Sequence, residues 1–256
     1  MRARLGRYAL WQLRDYALER GLPTLVVAAL FFLPFAIAVR DRTGVETPAE
    51  TAALAVAALA ETFKTLAFVI VLLGVNGMIA GDRKGGAFRF LFARPLSAPR
   101  YYAQAFAVSG AGALAATAII LAGYALAVHP VWTPGALVFV ALYWVLLGGL
   151  LFLASALTRL DWVVATGVWI VAQVVRDLVP AGGSWYGALI DALLPPAHLM
   201  SPIGAALVGE GVLPRTLPLP HGGAIDSTAA LLWVVSWGAG ALLLGLLILR
   251  QRPIAT

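Results

Sequence analysis

"ALVFVALYWVLLGGLLFLASAL", residues 136–157, contains no charged residue and no proline. About twenty mainly apolar residues are enough for a helix to cross a hydrocarbon core of roughly 30 Å, and this run meets that length. Its polarity does not alternate with a period of two, as the roughly ten-residue strands of a membrane β-barrel require. Similar runs lie at 22–39, where Pro34 predicts a kink, and at 53–80, 101–127, 162–179 and 228–249. Together they predict an all-α, polytopic membrane protein with six transmembrane helices, built as a single membrane domain over 1–256. Composition agrees: 61% of residues are hydrophobic and 12% are charged, against roughly a quarter charged in soluble domains.

The charges fall unevenly between the runs. Six spans place both termini on one side, with the 81–100 and 158–161 connections. Those regions hold most of the eighteen Lys and Arg residues. The opposite side has Arg40, Arg42 and Arg215, with Lys64 and Arg176 near its margin. The positive-inside tendency then predicts cytoplasmic N- and C-termini. A net charge of +6 distributed beside apolar spans points to anionic lipid heads rather than nucleic acid. Few Lys beside many Ala, Gly and Arg suggest a GC-rich bacterial genome, hence a bacterial inner membrane. No cysteine is present, so disulfides and thiolate metal sites are excluded.

Residues 1–20, "MRARLGRYALWQLRDYALER", set five Arg among Leu5, Tyr8, Trp11 and Leu18. This reads as an amphipathic interfacial helix before the first span, or as a charged lead-in that only sets orientation. "AIA" at 36–38 resembles a cleavage site, but Asp15 and Glu19 and the length of the run favour an uncleaved span. At the other end, 180–227 is rich in Gly and Pro. Its apolar stretches are too brief to cross, which predicts broken, re-entrant outer helices.

The segment 80–100, "AGDRKGGAFRFLFARPLSAPR", gathers basic residues between the second and third spans. In a helix over about 85–93, Phe88, Leu91 and Phe92 share one face and Arg89 lies off it. Such a helix suits either the lipid headgroups or the groove of a soluble partner. The order small–acidic–basic–Gly–apolar–small–Pro runs from Gly81-Asp82-Arg83-Lys84-Gly85-Gly86 through Ala87-Phe88-Arg89-Phe90-Leu91-Phe92 to Ala93-Arg94-Pro95.

This order resembles the signature of ABC-2-type ABC transporter permeases. The motif covers about twenty residues, and the layout of helices extends the likeness along nearly the whole chain. The resemblance implies that 81–100 is a coupling segment docking on a separate ABC ATPase. Contact residues would be Arg83, Lys84, Phe88, Leu91 and Arg94, with Gly85 and Gly86 at the tight turn into the helix. It also implies a second permease copy, or a related permease, around a central path for an exported substrate. ATP and Mg would be bound by the partner, with no cofactor on this chain.

The chain itself has no P-loop: its two lysines, Lys64 and Lys84, follow Phe63 and Arg83 rather than Gly, so phosphates are not cradled. No His falls within a span. His129, His198 and His221 map to outer connections, which disfavours intramembrane proteolysis and haem ligation. His198 and Met200 alone make a weak soft-metal signal, so neither metal nor catalytic residues are expected. Two rival classes stand: an ATP-independent carrier or channel, and a structural scaffold in a membrane complex.

Charges near the membrane are functional candidates by default. Glu61 and Lys64, spaced i, i+3, pair on one helix face. Lys64 lies about 25 Å from Gly81 at about 1.5 Å per residue, so the pair is either interfacial or part of an outer mouth. Arg176 and Asp177 at the end of the fifth span pose the same choice, with the interface favoured. Asn76 is expected to hydrogen-bond between helices, and Gly77 to Gly81 to form a small-xxx-small packing face. Trp132, Trp162, Trp185 and Tyr186 read as interfacial anchors.

Overall fold

In hydrocarbon every backbone N–H and C=O must find a partner within the protein, and a helix meets that demand inside one segment. The computed structural model of the chain describes residues 2–42, 47–84, 97–130, 133–178, 189–190, 192–219 and 223–251. α1 (Arg2–Tyr16) passes through a π-helical turn (Ala17–Gly21) into α2 (Leu22–Arg42). α3 (Pro48–Val75) and the short α4 (Ala80–Lys84) follow, then α5 (Ala98–Ala127). α6 (Gly135–Tyr143), a π turn (Trp144–Gly148) and α7 (Gly149–Leu157) form one continuous rod, and α8 (Asp161–Leu178) comes next. α9 (Met200–Gly204) sits between a 3-10 turn (Ala197–Leu199) and a π turn (Ala205–Glu210). Strands β1 (Thr216–Pro218) and β2 (Ala224–Asp226) lead into α10 (Ser227–Gln251).

Among the described residues five helical stretches are long and apolar enough to cross a membrane: Ala9–Pro34, Ala49–Lys84, Ala98–Ala127, Gly135–Leu157 and Ser227–Gln251. The chain is a multi-pass, predominantly helical membrane protein. α8 is not one of the five, because Asp161, Arg176 and Asp177 fall within its eighteen residues. The boundary expected between a surface helix over 1–20 and a span from 22 is bridged by the π turn. α1 packs along α5 rather than standing apart from the bundle.

The opening run occupies the centre. Phe139, Leu146, Leu147, Leu151 and Phe152 are fully buried, and the rod is the most enclosed of the five stretches. The π turn seats Trp144 against Phe106, with ring centroids 5.2 Å apart. α10 packs on the rod where Gly149 meets Gly238. A Cβ on either glycine would collide with the opposing backbone. Lipid is as apolar as leucine, so such helices associate by close van der Waals packing, which small residues permit. The outer faces remain apolar: Val26, Leu30, Leu33 and Ile37 on α2, and Leu232, Leu243, Leu244 and Leu247 on α10, are exposed. Side chains of this kind suit acyl chains.

α3 begins with a capping box. Thr47 Oγ1 accepts from the Glu50 N–H while Glu50 Oε2 accepts from the Thr47 N–H at 2.8 Å, satisfying amides that the first turn leaves unpaired. At the same end of the bundle, the turns over 197–210 bury Leu199, Ile203 and Val208 against α3 and α6. The sequence predicted broken helices in this region but not the antiparallel hairpin, which pairs Thr216 with Asp226 and Pro218 with Ala224. Its three-residue strands are too short to leave an alternating pattern. Leu217 is fully buried, and Asp226 Oδ1 caps α10 by accepting from the Thr228 and Ala229 N–H groups at 2.9 and 3.1 Å.

Candidate functional site

α3 ends before the basic segment begins. The chain turns over Asn76–Ile79 and resumes as α4. Gly77 has φ +69°, a left-handed conformation that costs a residue with a Cβ roughly 1–2 kcal/mol. Asn-Gly is a turn dipeptide, so the break was legible in residues 76–77. The expected small-xxx-small face is therefore not a helix face. Gly77 lies in the turn, and a Cβ on Gly81 would meet open space.

A turn this close to the membrane frees N–H groups that need acceptors. The end of α7 and the start of α8 supply them. Asp161 Oδ2 accepts from the Gly77 N–H at 2.9 Å, and its Oδ1 accepts from the Trp162 N–H at 3.0 Å. Ser155 Oγ accepts from the N–H groups of Ile79 and Ala80 at 3.2 and 3.0 Å. Asp161 is 2% exposed and Ser155 fully buried, so water does not compete freely for either acceptor. Arg83 Nη1 donates to the Ala156 carbonyl at 3.2 Å. From the other side, Arg20 Nη1 donates to the Gly74 carbonyl, one of the acceptors left over where α3 stops. The last turns before residue 85 are thus tied to the N-terminal helix, the end of α7 and the start of α8.

Beside this clasp a cavity of about 130 Å³ opens between the N-terminal helix and α5. Asp82 and Tyr102 line it, joined by a 2.9 Å bond in which the tyrosine hydroxyl donates to Asp82 Oδ2. Arg20 lines it too, within electrostatic reach of Asp82 and Asp161. Charged groups at the end of a membrane helix that point inward are arranged polar structure rather than loose surface.

Of the residues predicted for partner contact, Arg83 is held in the clasp and Lys84 is exposed. Gly85, Gly86, Phe88, Leu91 and Arg94 lie outside the described residues, as do Trp132, Trp185, Tyr186 and His221. Asn76 is exposed. The cross-helix bonds at this level are made by the backbone of Gly77, Ile79 and Ala80. Glu61 and Lys64 do pair, at 2.9 Å, with the Lys64 stem beside Gly204, far from the clasp. Arg176 lies over the Trp233 ring at 5.9 Å, and His198 meets the same ring at 5.6 Å. The side chain of Asp177 lies outside the described residues. Met200 is buried in the core, and among the described residues no group of three His, Cys, Asp or Glu could hold a metal ion.

Arg20, Ser155, Asp161 and Tyr102 were missed as site residues. Arg20 and Asp161 left a signal, as charges bordering long apolar runs. Ser155 and Tyr102 left none, because their roles come from partners 75 and 20 residues away. No family model matches the chain, and no curated protein matches it either.

Proposed function

We propose that this chain is the membrane-spanning permease subunit of an ATP-driven exporter of the ABC-2 type, with α8 as a sixth crossing and both termini in the cytoplasm. The observation that carries this reading is the clasp around residues 74–83. The segment whose motif resembles a coupling helix, 84–94, follows a turn and the short α4, which are hydrogen-bonded to the end of α7 and the start of α8, while Arg20 holds the end of α3 just before them. A force applied to 84–94 by a moving ATPase would reach several helices at once. A freely hinged loop would dissipate it. The fully buried Ser155 and nearly buried Asp161 suit this role, since their bonds are protected from exchange with water.

In this reading the ATPase is a separate polypeptide, because the chain has no P-loop. A second permease copy, or a related permease, completes the path. The exposed apolar faces of α2 and α10 supply surface for lipid and for that second subunit. ATP-driven closure of the motor would press on the Phe88 and Leu91 face, and the clasp would pass the displacement to α1 and α7. The broken turns over 197–210 lie toward the other end, and in this reading they gate release.

The test is Phe88→Asp with Leu91→Asp in the full chain, purified from native membranes beside the unaltered chain and probed for a bound ABC ATPase. We expect the ATPase no longer to co-purify and hydrolysis linked to transport to fall to the background of the isolated motor. Retention of the motor with unchanged hydrolysis refutes the assignment. A chain that retains no ATPase even in wild-type native membranes would point instead to a carrier or a scaffold.

A further inference from the structure

α8 is eighteen residues long, or about 27 Å at about 1.5 Å per residue, close to the roughly 30 Å of a hydrocarbon core. Two of the charges that keep it from reading as an apolar span stand in its first and last turns, Asp161 and Arg176. Each has the sign that the helix dipole favours at its end. Each is also engaged by another part of the chain. Asp161 accepts from the Gly77 N–H in the clasp. Arg176 lies over the Trp233 ring of α10, and the His198 ring meets the same ring from the 3-10 turn over 197–199. That turn also packs against α8 itself. One helix therefore touches the clasp at one end and the broken outer turns at the other.

Between those ends α8 is lightly seated. Among its described residues the buried ones are Asp161, Ala165, Trp169 and Ala172, a single narrow stripe at helical spacing. Val163, Ile170, Val171 and Val174 are exposed. Trp169 is the one large side chain of the stripe, with its ring 5.5 Å from Tyr143 and 6.0 Å from Phe68. No proline interrupts the helix, so it moves as a stiff body about that anchor. Trp169 lies about 12 Å from Asp161 and about 10 Å from Arg176 along the axis. A tilt of about 5° therefore shifts either end by about 1 Å. That shift takes the 2.9 Å bond to Gly77 out of hydrogen-bond range. It also takes Arg176, at 5.9 Å from the ring centroid, past the roughly 6 Å limit of a cation–π contact.

We propose that α8 is a lever pivoting on Trp169 that couples the clasp to the turn over 197–199, so that loosening either end loosens the other. The inference stands on the contacts of α8 alone and holds with or without an ATPase at 84–94. Both end contacts are made while the helix sits on its stripe, and a tilt strong enough to break one strains the other.

Amide hydrogen exchange on the full chain in lipid nanodiscs tests this. The readouts are the Gly77 amide, bonded to Asp161, and the Leu199 amide, which donates to the Pro196 carbonyl at 3.1 Å. Trp233→Leu should speed exchange at Gly77, and Asp161→Ala should speed it at Leu199. Each effect should be about fivefold or more, the lower end of what coupled sites show. Thr166→Gly sets a second glycine beside Gly167 and loosens the middle of the helix. It should remove both distant responses while Asp161→Ala still acts on Gly77 and Trp233→Leu on Leu199. The Glu50 and Thr51 amides at the start of α3 are the control and should keep their rates. If Trp233→Leu speeds them as well, Arg176→Met, which removes the cation and keeps the stem, must speed Gly77 and spare them. Responses confined to the mutated end overturn the proposal. So do distant responses that survive Thr166→Gly, since the coupling would then run through the rest of the bundle.

Discussion

Replacing Asp161 with Ala removes the acceptor that holds the Gly77 turn. The carboxylate receives the Gly77 N–H at 2.9 Å and the Trp162 N–H at 3.0 Å. A hydrogen bond to a charged group contributes about 1.5–3 kcal/mol. The Trp162 bond joins adjacent residues and adds less, since water replaces it readily where Trp162 is 49% exposed. The variant should lose roughly 1.5–3 kcal/mol, most of it at Gly77. Local opening is read by amide hydrogen exchange. At about 1.36 kcal/mol per factor of ten, the Gly77 amide should exchange about ten to a hundred times faster. Ser155→Ala supplies the internal comparison: it should speed exchange at Ile79 and Ala80 while sparing Gly77. If Gly77 exchanges in Asp161→Ala at the wild-type rate, the clasp does not hold the turn, and the route proposed for transmitting force is wrong.

Other outcomes follow from the same geometry. Gly77→Ala should cost roughly 1–2 kcal/mol, read as a lowered unfolding midpoint, because φ +69° strains any residue with a Cβ; an unchanged midpoint would show that the turn relaxes freely. Gly238→Val should separate α10 from the central rod, since even a Cβ collides with the Val145 carbonyl. Cysteines placed at facing positions on α7 and α10 would then cross-link more slowly than in the parent, and an unaltered rate would contradict the packing. Thr47→Ala should fray the start of α3 at a cost of about 1 kcal/mol, seen as faster exchange at Glu50 and Thr51 with no change at Gly77.

The membrane character of this chain is legible residue by residue, because crossing a hydrocarbon core is a local demand. Residues 136–157 meet it by their own composition, and the structure places them at the centre of the bundle. The Glu61–Lys64 pair is legible for the same reason, as neighbours on one helical face. The Gly77–Gly81 spacing misleads because a helix-packing pattern and a turn use the same small residue, and only the Asn76 beside it tells them apart. The hairpin at 216–226 was hidden by strands too short to show a period.

The clasp and the cavity belong to tertiary structure. Asp161 meets Gly77 across 84 residues, and Arg20 meets Gly74 across 54. Hydrogen bonds at such separations follow no repeat that a sequence displays. They exist because packing α1, α3, α5 and α7 together buries freed backbone groups beside whichever polar side chains the neighbouring helices happen to present. That the helices enter a membrane follows from the composition of each run alone. Which of their few polar atoms found partners followed only from the way the bundle closed.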